Sequence, residues 1–186
     1  MEDLRVLVAY SSEHGSTAEI ARAVALTLYR TGLDVDALPV SDVKDVSGYD
    51  SVVLGSAVYG GSWTEDAVAF LERFSSSLVK KEVWLFQSGP LGHSAQRTVG
   101  ELPFNVAFMA EQLHVNGHAT FGGKYDGTVG GPAARLLARA GYVGDYRDFG
   151  KVRLWAEEVA RASAMKVVTA RTAHGARGAD EALTRR

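Results

Sequence analysis

The sequence contains no cysteine among its 186 residues. Disulfides, thiolate nucleophiles and cysteine-ligated zinc or iron–sulfur centres are therefore all excluded. No apolar run approaches the roughly 20 residues that a membrane-spanning helix needs, and no signal peptide precedes Val6. The five histidines lack the spacing of a zinc protease, and we expect a helix-to-strand boundary between His114 and His118. We therefore expect a cytoplasmic protein without a metal site.

Signatures of several α/β enzyme classes are also absent. The chain has no Gly-Lys-Ser/Thr triplet of a Walker A loop and no Gly-x-Ser-x-Gly elbow, and Gly-x-Gly-x-x-Gly does not follow the first strand. A response-regulator receiver needs an acidic pair and a phosphoacceptor Asp at positions that here hold Ser11-Ser12 and Gly55-Ser56. These absences argue against nucleotide hydrolysis, dinucleotide binding of the Rossmann type, ester hydrolysis and phosphotransfer.

The formal net charge is −2, but the charges are unevenly distributed. Residues 1–123 carry 8 Lys and Arg against 15 Asp and Glu, whereas residues 124–186 carry 12 against 7. The basic C-terminal third fits an anionic partner, but arginines scattered over helix surfaces are the commoner explanation of such a distribution. Aromatic residues are not interleaved with the basic ones, so we expect no nucleic-acid binding.

Apolar runs typical of buried strands alternate with patterns typical of amphipathic helices. Strands are predicted at Leu4–Tyr10, Leu33–Leu38, Tyr49–Gly55, Glu82–Ser88 and His118–Lys124. Helices are predicted at Thr17–Thr31, after a capping box of Ser62 and Glu65, from about Gln96 to Leu113, and at Phe149–Met165. This alternation predicts an α/β fold with a doubly wound, five-stranded parallel sheet. We expect one domain over residues 1–166 and a disordered tail over residues 167–186.

Three of the predicted strands end in loops unlike ordinary connections. The first loop consists of Ser12, Glu13, His14, Gly15, Ser16 and Thr17; the second includes Ala57, Val58, Tyr59, Gly60 and Gly61; the third includes Ser88, Gly89, Pro90 and Gly92. Ligands of open parallel sheets bind outside the carboxyl ends of the strands, where the strand order reverses. We therefore expect a planar aromatic ligand between the second and third loops, with its phosphate in the first.

The residue types in these loops suit that ligand. The first loop joins a strand to a helix N-terminus, whose backbone N–H groups and dipole favour an anion. Hydroxyl groups of Ser12, Ser16 and Thr17 add hydrogen-bond donors there. In the second loop, Tyr59 offers a ring for stacking, and the glycines after it allow the backbone to approach a ligand closely.

With these loops, the chain resembles flavodoxin-fold proteins that bind FMN. The first loop, Ser12-x-His14-Gly15-x-Thr17, resembles the flavodoxin phosphate loop; Ala57–Gly61 resembles the loop that flanks the flavin ring, and Ser88–Pro90 the loop around its pyrimidine edge. The resemblance implies the strand order 2-1-3-4-5 and one non-covalently bound FMN. It also implies that Tyr59 stacks on the ring and that the carbonyl of Gly60 lies near flavin N5.

The resemblance is closest to the flavodoxin-like type of menaquinone-dependent protoporphyrinogen IX dehydrogenase. Those proteins also carry a Tyr-Gly pair in the central loop and an insert between the last strand and the last helix. The insert here is Tyr125–Asp148, with a predicted short helix, Pro132–Ala140, that carries Arg135, Leu136, Leu137 and Arg139. We expect the insert to reach over the flavin. Its composition suits an acidic, largely apolar molecule such as a porphyrinogen, an anionic membrane surface, or a simple surface elaboration.

The resemblance implies an FMN-dependent oxidoreductase that passes electrons from an organic donor to a quinone. An alternative is a flavodoxin-type electron-transfer module whose partners are redox proteins. An NAD(P)H:quinone reductase ranks third, because no evident clamp for a nicotinamide cofactor's phosphate flanks Tyr59. We assign no catalytic acid or base, since arrival of a hydride or an electron at flavin N5 requires none.

Overall fold

The computed structural model describes residues 4–89, 100–127, 136 and 138–165. The main sheet contains β1 (Arg5–Ser11), β2 (Asp34–Pro39), β3 (Ser51–Tyr59), β5 (Glu82–Ser88) and β6 (Gly117–Phe121). Three strands of two residues each are β4 (Ser62–Trp63), β7 (Lys124–Tyr125) and β8 (Gly144–Asp145). The helices are α1 (Ser16–Arg30), α2 (Glu65–Leu78), α3 (Phe104–Gln112) and α4 (149–165).

The sheet has the strand order β2-β1-β3-β5-β6, and each neighbouring pair in this order is parallel. The predicted α/β fold with five parallel strands in the order 2-1-3-4-5 is therefore confirmed, with β4 as a short addition at the end of β3. Strand order reverses between β1 and β3, so the loops after these strands border the switch point at which such folds bind ligands.

Two helical layers enclose the sheet. Helices α1 and α4 cover one face, where Ile20, Val24 and Val152 are among the residues that contact the strands. Helices α2 and α3 cover the other face, through residues such as Leu71 and Val106. The apolar residues that recur at the 3.6-residue spacing of a helix in the predicted first and last helices are all buried, so this periodicity identifies both faces. They are Ile20, Ala21, Val24, Ala25 and Leu28 in α1, and Val152, Trp155, Ala156, Val159 and Ala160 in α4.

The start of α2 differs from the prediction. The capping box of Ser62 and Glu65 is wrong: Thr64 is the N-cap, Glu65 is the first helical residue, and Ser62 belongs to β4. Gly60 and Gly61 both have positive φ, 58° and 81°. Two such residues make the tight turn of a β-hairpin, which brings Ser62 back alongside the end of β3 before the helix begins.

Four further predicted segments differ from the structure or lie wholly or partly outside the described residues. The predicted strand His118–Lys124 is two strands, β6 and β7, because the chain leaves the main sheet after Phe121 and β7 pairs antiparallel with β8 instead. The third helix begins at Phe104, after Pro103, and residues 100–103 are not helical. Of the insert's predicted helix, residues 136, 138 and 139 are helical and the remainder falls outside the described residues, as does the predicted tail.

No helix in the described part of the chain is both long enough and apolar enough to cross a membrane. The same residues contain no group of three or more His, Asp or Glu side chains arranged to hold a metal ion. The predicted boundary between His114 and His118 is confirmed, because α3 ends before His114 and His118 lies in β6.

Close packing at the centre of the sheet depends on Gly55. A Cβ atom added there would lie 2.0 Å from Cζ of Phe86 and 2.4 Å from its Cε1. The Phe86 ring is fully buried, and its centroid lies 6.0 Å from those of Phe121 and Trp155. The ring therefore has little room to move away from a larger residue in β3.

We expect Gly55→Ala to lower the free energy of unfolding by about 1–3 kcal/mol, because the added methyl overpacks a filled core. Urea denaturation measures the change. Gly48→Ala is the matched control, since its Cβ would meet only the Arg5 guanidinium, at 3.4 Å. Equal midpoints for Gly55→Ala and wild type would contradict this packing.

Candidate functional site

The first loop ends in a helix start that no side chain caps. Gly15, the N-cap of α1, has φ 82° and ψ −19°, and no side chain accepts a hydrogen bond from the first turn. The first backbone bond of the helix runs from Glu19 N to the carbonyl of Gly15, at 3.0 Å. The preceding N–H groups of a helix have no intrahelical acceptor, so this N-terminus can bind an anion.

The hydroxyl group of Ser16 has an unusual environment at this helix start. Its Oγ atom is buried and has no hydrogen-bond partner among the described residues. A buried hydroxyl without a partner costs about 1–3 kcal/mol, and proteins rarely leave one unless a ligand or water completes it. Ser12, on the same loop, is partly exposed. The first loop thus contains an unsatisfied donor as well as free backbone N–H groups.

Thr17 has a structural partner that the sequence did not reveal. Its side chain is buried, and Oγ1 lies 3.2 Å from Oγ of Ser88 at the end of β5. This contact joins the first loop to the start of the third across 71 residues of sequence. Of the two hydroxyls at the start of α1, that of Ser16 is the one left for a ligand.

The second loop is the hairpin between β3 and β4. Tyr59 lies at its corner with 42% of its surface exposed. Its ring packs edge-on against that of His14, with centroids 5.8 Å apart, so the first and second loops are in contact. Partial burial and, to a smaller extent, the negative charge of Glu13 raise the pKa of Tyr59. An exposed aromatic ring therefore stands beside the helix start.

The third loop begins in close contact with the second. A Cβ atom at Gly89 would lie 2.8 Å from the carbonyl oxygen of Val58, and one at Gly123, after β6, would lie 3.2 Å from Cα of Gly89. Only glycine permits these backbones to approach so closely. Pro90 and Gly92, the other residues predicted in this loop, lie outside the described residues. The remaining thirteen predicted site residues all lie at the carboxyl edge of the sheet.

A family model for flavodoxin domains matches residues 7–137. The chain belongs to the flavodoxin domain family. The matched range begins in β1 and includes all three loops of the site. Membership of this family agrees with the predicted flavodoxin fold, and it does not distinguish the protoporphyrinogen dehydrogenase type from other flavodoxin domains.

Solved structures share the fold of this flavodoxin domain. A rubredoxin oxygen:oxidoreductase from the anaerobe Desulfovibrio gigas has a TM-score of 0.61 at 17% identity, over 88% of this chain but 37% of its own. Oxidised flavodoxin 2 from Bacillus cereus has a TM-score of 0.55 at 21% identity, over 87% and 99% of the two chains. Two-electron reduced Megasphaera elsdenii flavodoxin has a TM-score of 0.53 at 24% identity, over 73% and 96%. The chain thus spans a little over a third of the first protein and nearly all of the two flavodoxins.

A hydroxyl network beneath the flavodoxin loops was missed by sequence reasoning. Thr64 Oγ1 donates to Oγ of Ser11 at 2.8 Å and lies 3.1 Å from Oγ of Ser56, which also accepts from Thr64 N at 3.2 Å. These bonds join the ends of β1 and β3 to the start of α2. Small hydroxyl residues at two strand ends were the available signal, but only the fold shows that they meet.

Trp63 is the second aromatic residue near the second loop, and its role is structural. It is buried, and its Nε1 donates to Oε1 of Gln87 at 2.9 Å. Gln87 Nε2 in turn donates to Oγ1 of Thr120 at 2.9 Å and to the carbonyl of Glu101 at 3.1 Å. Since Trp63 is held in this buried network, Tyr59 is the aromatic side chain of the second loop that a ligand can reach.

Electrostatics favour the start of α1 over that of α2 for an anion. A cavity of about 350 Å³ beside the second loop is bordered by Glu13 of the first loop and by Glu65 and Asp66, two carboxylates of the first turn of α2 that repel a phosphate. The first turn of α1 contains one acidic residue, Glu19, whose Oε2 lies 2.8 Å from Nη1 of Arg147. The less negative helix start is therefore the one with the unpartnered serine.

Two variants of ligand-free protein test this description. Ser16→Ala should leave the free energy of unfolding within about 0.5 kcal/mol of wild type or raise it, because the hydroxyl has no partner to lose. Thr17→Ala should lower it by about 1–2 kcal/mol, because the bond to Ser88 and a buried methyl are lost. Urea denaturation measures both. If Ser16→Ala is as unstable as Thr17→Ala, the Ser16 hydroxyl has a partner in the protein.

Proposed function

We propose that this flavodoxin domain binds one FMN non-covalently and uses it for electron transfer. The observation that carries the proposal is the uncapped start of α1 with the buried, unpartnered hydroxyl of Ser16. A phosphate oxygen there accepts from that hydroxyl and from the backbone N–H groups of the first turn. The proposed phosphate site thus completes the hydrogen bonding of groups that otherwise stay unsatisfied.

The isoalloxazine ring in this proposal lies between the second and third loops. Tyr59 supplies an exposed ring for stacking, and His14 supports it from the side. Gly60 carries no side chain that would keep its carbonyl from the flavin edge, and its positive φ is accessible to glycine at little cost. When bound, FMN supplies reversible one- and two-electron chemistry, while the chain orients and shields it.

The carboxylates around the second loop bear on the reduction potential. Glu13, Glu65 and Asp66 border the cavity beside Tyr59. Negative charges near a flavin disfavour the additional negative charge of its reduced form. We therefore infer a lowered reduction potential for FMN in this site, which suits a protein that receives electrons from a strong reductant or passes them to a quinone.

For the reaction, we propose that electrons pass from a small organic donor to a quinone, as in the protoporphyrinogen dehydrogenase type of flavodoxin domain. The insert supports this reading. It follows β6 at the carboxyl edge, and Tyr146 N donates to the carbonyl of Gly123 at 3.0 Å, beside the third loop. Leu136, Val143 and Arg139 of the insert are exposed. This apolar and basic surface suits an acidic apolar donor and light contact with an anionic membrane.

The second candidate is an electron-transfer module that acts on redox proteins. Two observations favour it. The chain matches single-domain flavodoxins over 96–99% of their length, and two of them are described in their oxidised and two-electron reduced forms. In addition, Phe104 and Phe108 lie four residues apart on α3 and are 94% and 63% exposed. Exposed aromatic side chains of this kind are typical of protein contact surfaces.

Binding of FMN and riboflavin separates the phosphate from the ring. With Ser12→Ala and Ser16→Ala combined, the Kd for FMN should rise about 10- to 100-fold, as expected for loss of charge-assisted hydrogen bonds. The Kd for riboflavin should not change, since riboflavin has no phosphate. The matched control is Ser75→Ala with Ser76→Ala, two exposed serines of α2. Equal affinity of the wild type for both flavins would contradict a phosphate site at α1.

Anaerobic stopped-flow reduction of the FMN-loaded protein separates the two candidate functions. We expect a porphyrinogen to reduce the flavin and a menaquinone analogue to reoxidise it, with repeated turnover. Leu136→Ser with Arg139→Ser should slow this reduction and leave FMN affinity unchanged, because both side chains are exposed and neither residue belongs to the three loops of the site. Reduction by reduced protein carriers alone, with no reaction of porphyrinogen or quinone, would overturn the dehydrogenase proposal in favour of the electron-transfer module.

A further inference from the structure

Arg147 lies at the end of the insert, in an ion-pair network that leaves 4% of its side chain exposed. Its Nε and Nη2 donate to the two carboxylate oxygens of Asp145, at 2.8 and 2.7 Å. Nη1 donates to Oε2 of Glu19 at 2.8 Å. The guanidinium also lies 5.1 Å from the centroid of the Phe149 ring. Both edges of the guanidinium and one face are therefore engaged.

The network connects the insert to the proposed phosphate site. Asp145 belongs to β8, and Arg147 lies between β8 and α4. Glu19 lies in the first turn of α1, where its backbone N–H donates to the carbonyl of Gly15. The contact spans 128 residues of sequence. A guanidinium from the insert thus reaches the one carboxylate in the first turn of the helix that forms the site.

A carboxylate in this position opposes a second anion at the same helix start. An acidic side chain in the first turn satisfies the helix dipole while the site is empty, and it repels a phosphate that binds there. Arg147 offsets that charge at hydrogen-bond distance. Two hydrogen bonds to Asp145 hold the guanidinium in place. These bonds also lower the pKa of Asp145, so this carboxyl stays ionised and remains paired with Arg147.

We propose that Arg147 is a positioning residue that acts through Glu19: it holds the Glu19 carboxylate in an ion pair and turned toward the insert, which lessens the repulsion of a phosphate and so strengthens the preference of the site for FMN over riboflavin. This inference rests on the proposed binding of FMN. It assigns the insert a role in cofactor recognition, in addition to any contact with an electron donor. If Arg147 served only to fix the insert to α1, its loss would instead weaken the binding of FMN and of riboflavin equally, since riboflavin carries the same ring.

Four variants distinguish the electrostatic role from a structural one: Arg147→Met, Arg147→Lys, Glu19→Gln, and Glu19→Gln with Arg147→Met. The readout is the Kd for FMN and for riboflavin, from quenching of flavin fluorescence at low and high salt. Arg147→Met should raise the Kd for FMN about two- to fivefold at low salt, the effect of one charge near a helix N-terminus. The effect should shrink at high salt. The Kd for riboflavin should stay the same, and Arg147→Lys should bind FMN nearly as well as wild type.

Variants at Glu19 give the sharpest contrast. Glu19→Gln removes the opposing charge and keeps an amide oxygen that can accept a hydrogen bond from Arg147, so FMN should bind as tightly as in wild type or more tightly. The double variant should recover the FMN affinity lost in Arg147→Met. If Arg147→Met does not fold, the single Glu19→Gln variant still decides between the two roles.

Three results would overturn the inference. These are an unchanged Kd for FMN in Arg147→Met, an equal loss of affinity for FMN and riboflavin in that variant, or weaker FMN binding in Glu19→Gln. Failure of wild type to bind FMN at all is a different outcome, because it overturns the proposed function itself.

Discussion

The account depends on the turn from β1 into α1. Gly15 adopts a left-handed conformation that ends the first loop and starts the helix, with no side chain to cap it. Gly15 has no side chain that could accept a hydrogen bond from the N–H groups of the first turn, and the buried hydroxyl of Ser16 has no hydrogen-bond partner among the described residues. The helix dipole adds positive potential at the same point, and this combination is the basis of the proposed phosphate site.

Contacts at the ends of the strands hold the loops to the rest of the fold and leave Tyr59 accessible. The buried hydroxyls of Ser11 and Ser56 form hydrogen bonds with the partly buried Thr64, and these bonds join β1 and β3 to the start of α2. Close backbone contacts at Gly89 join the second and third loops. Tyr59, by contrast, remains at the surface of the hairpin. An exposed ring and free donors on a base that is already fixed suit the proposed cofactor site, because residues ordered in folding need not be ordered again on binding.

Sequence reasoning recovered the features that depend on local pattern. Apolar runs identified all five parallel strands, and helical periodicity identified the buried faces of α1 and α4. Features that depend on contacts between distant residues could not be foreseen. The hairpin after Tyr59 arises from two glycines with positive φ, the pairing of Thr17 with Ser88 crosses 71 residues, and Arg147 meets its carboxylate only through the fold. The capping-box prediction failed because a hairpin strand occupies the residue that would have capped α2.

Backbone amide NMR during titration with FMN tests the central claim most directly, since it locates the phosphate without any substitution. The account predicts one saturable site, with the largest shifts at the amides of Ser16, Thr17 and Ala18 and further shifts around Tyr59. Riboflavin should reproduce the shifts around Tyr59 and leave those at the start of α1 small. Largest FMN shifts at the start of α2, or at the opposite edge of the sheet, would contradict the account.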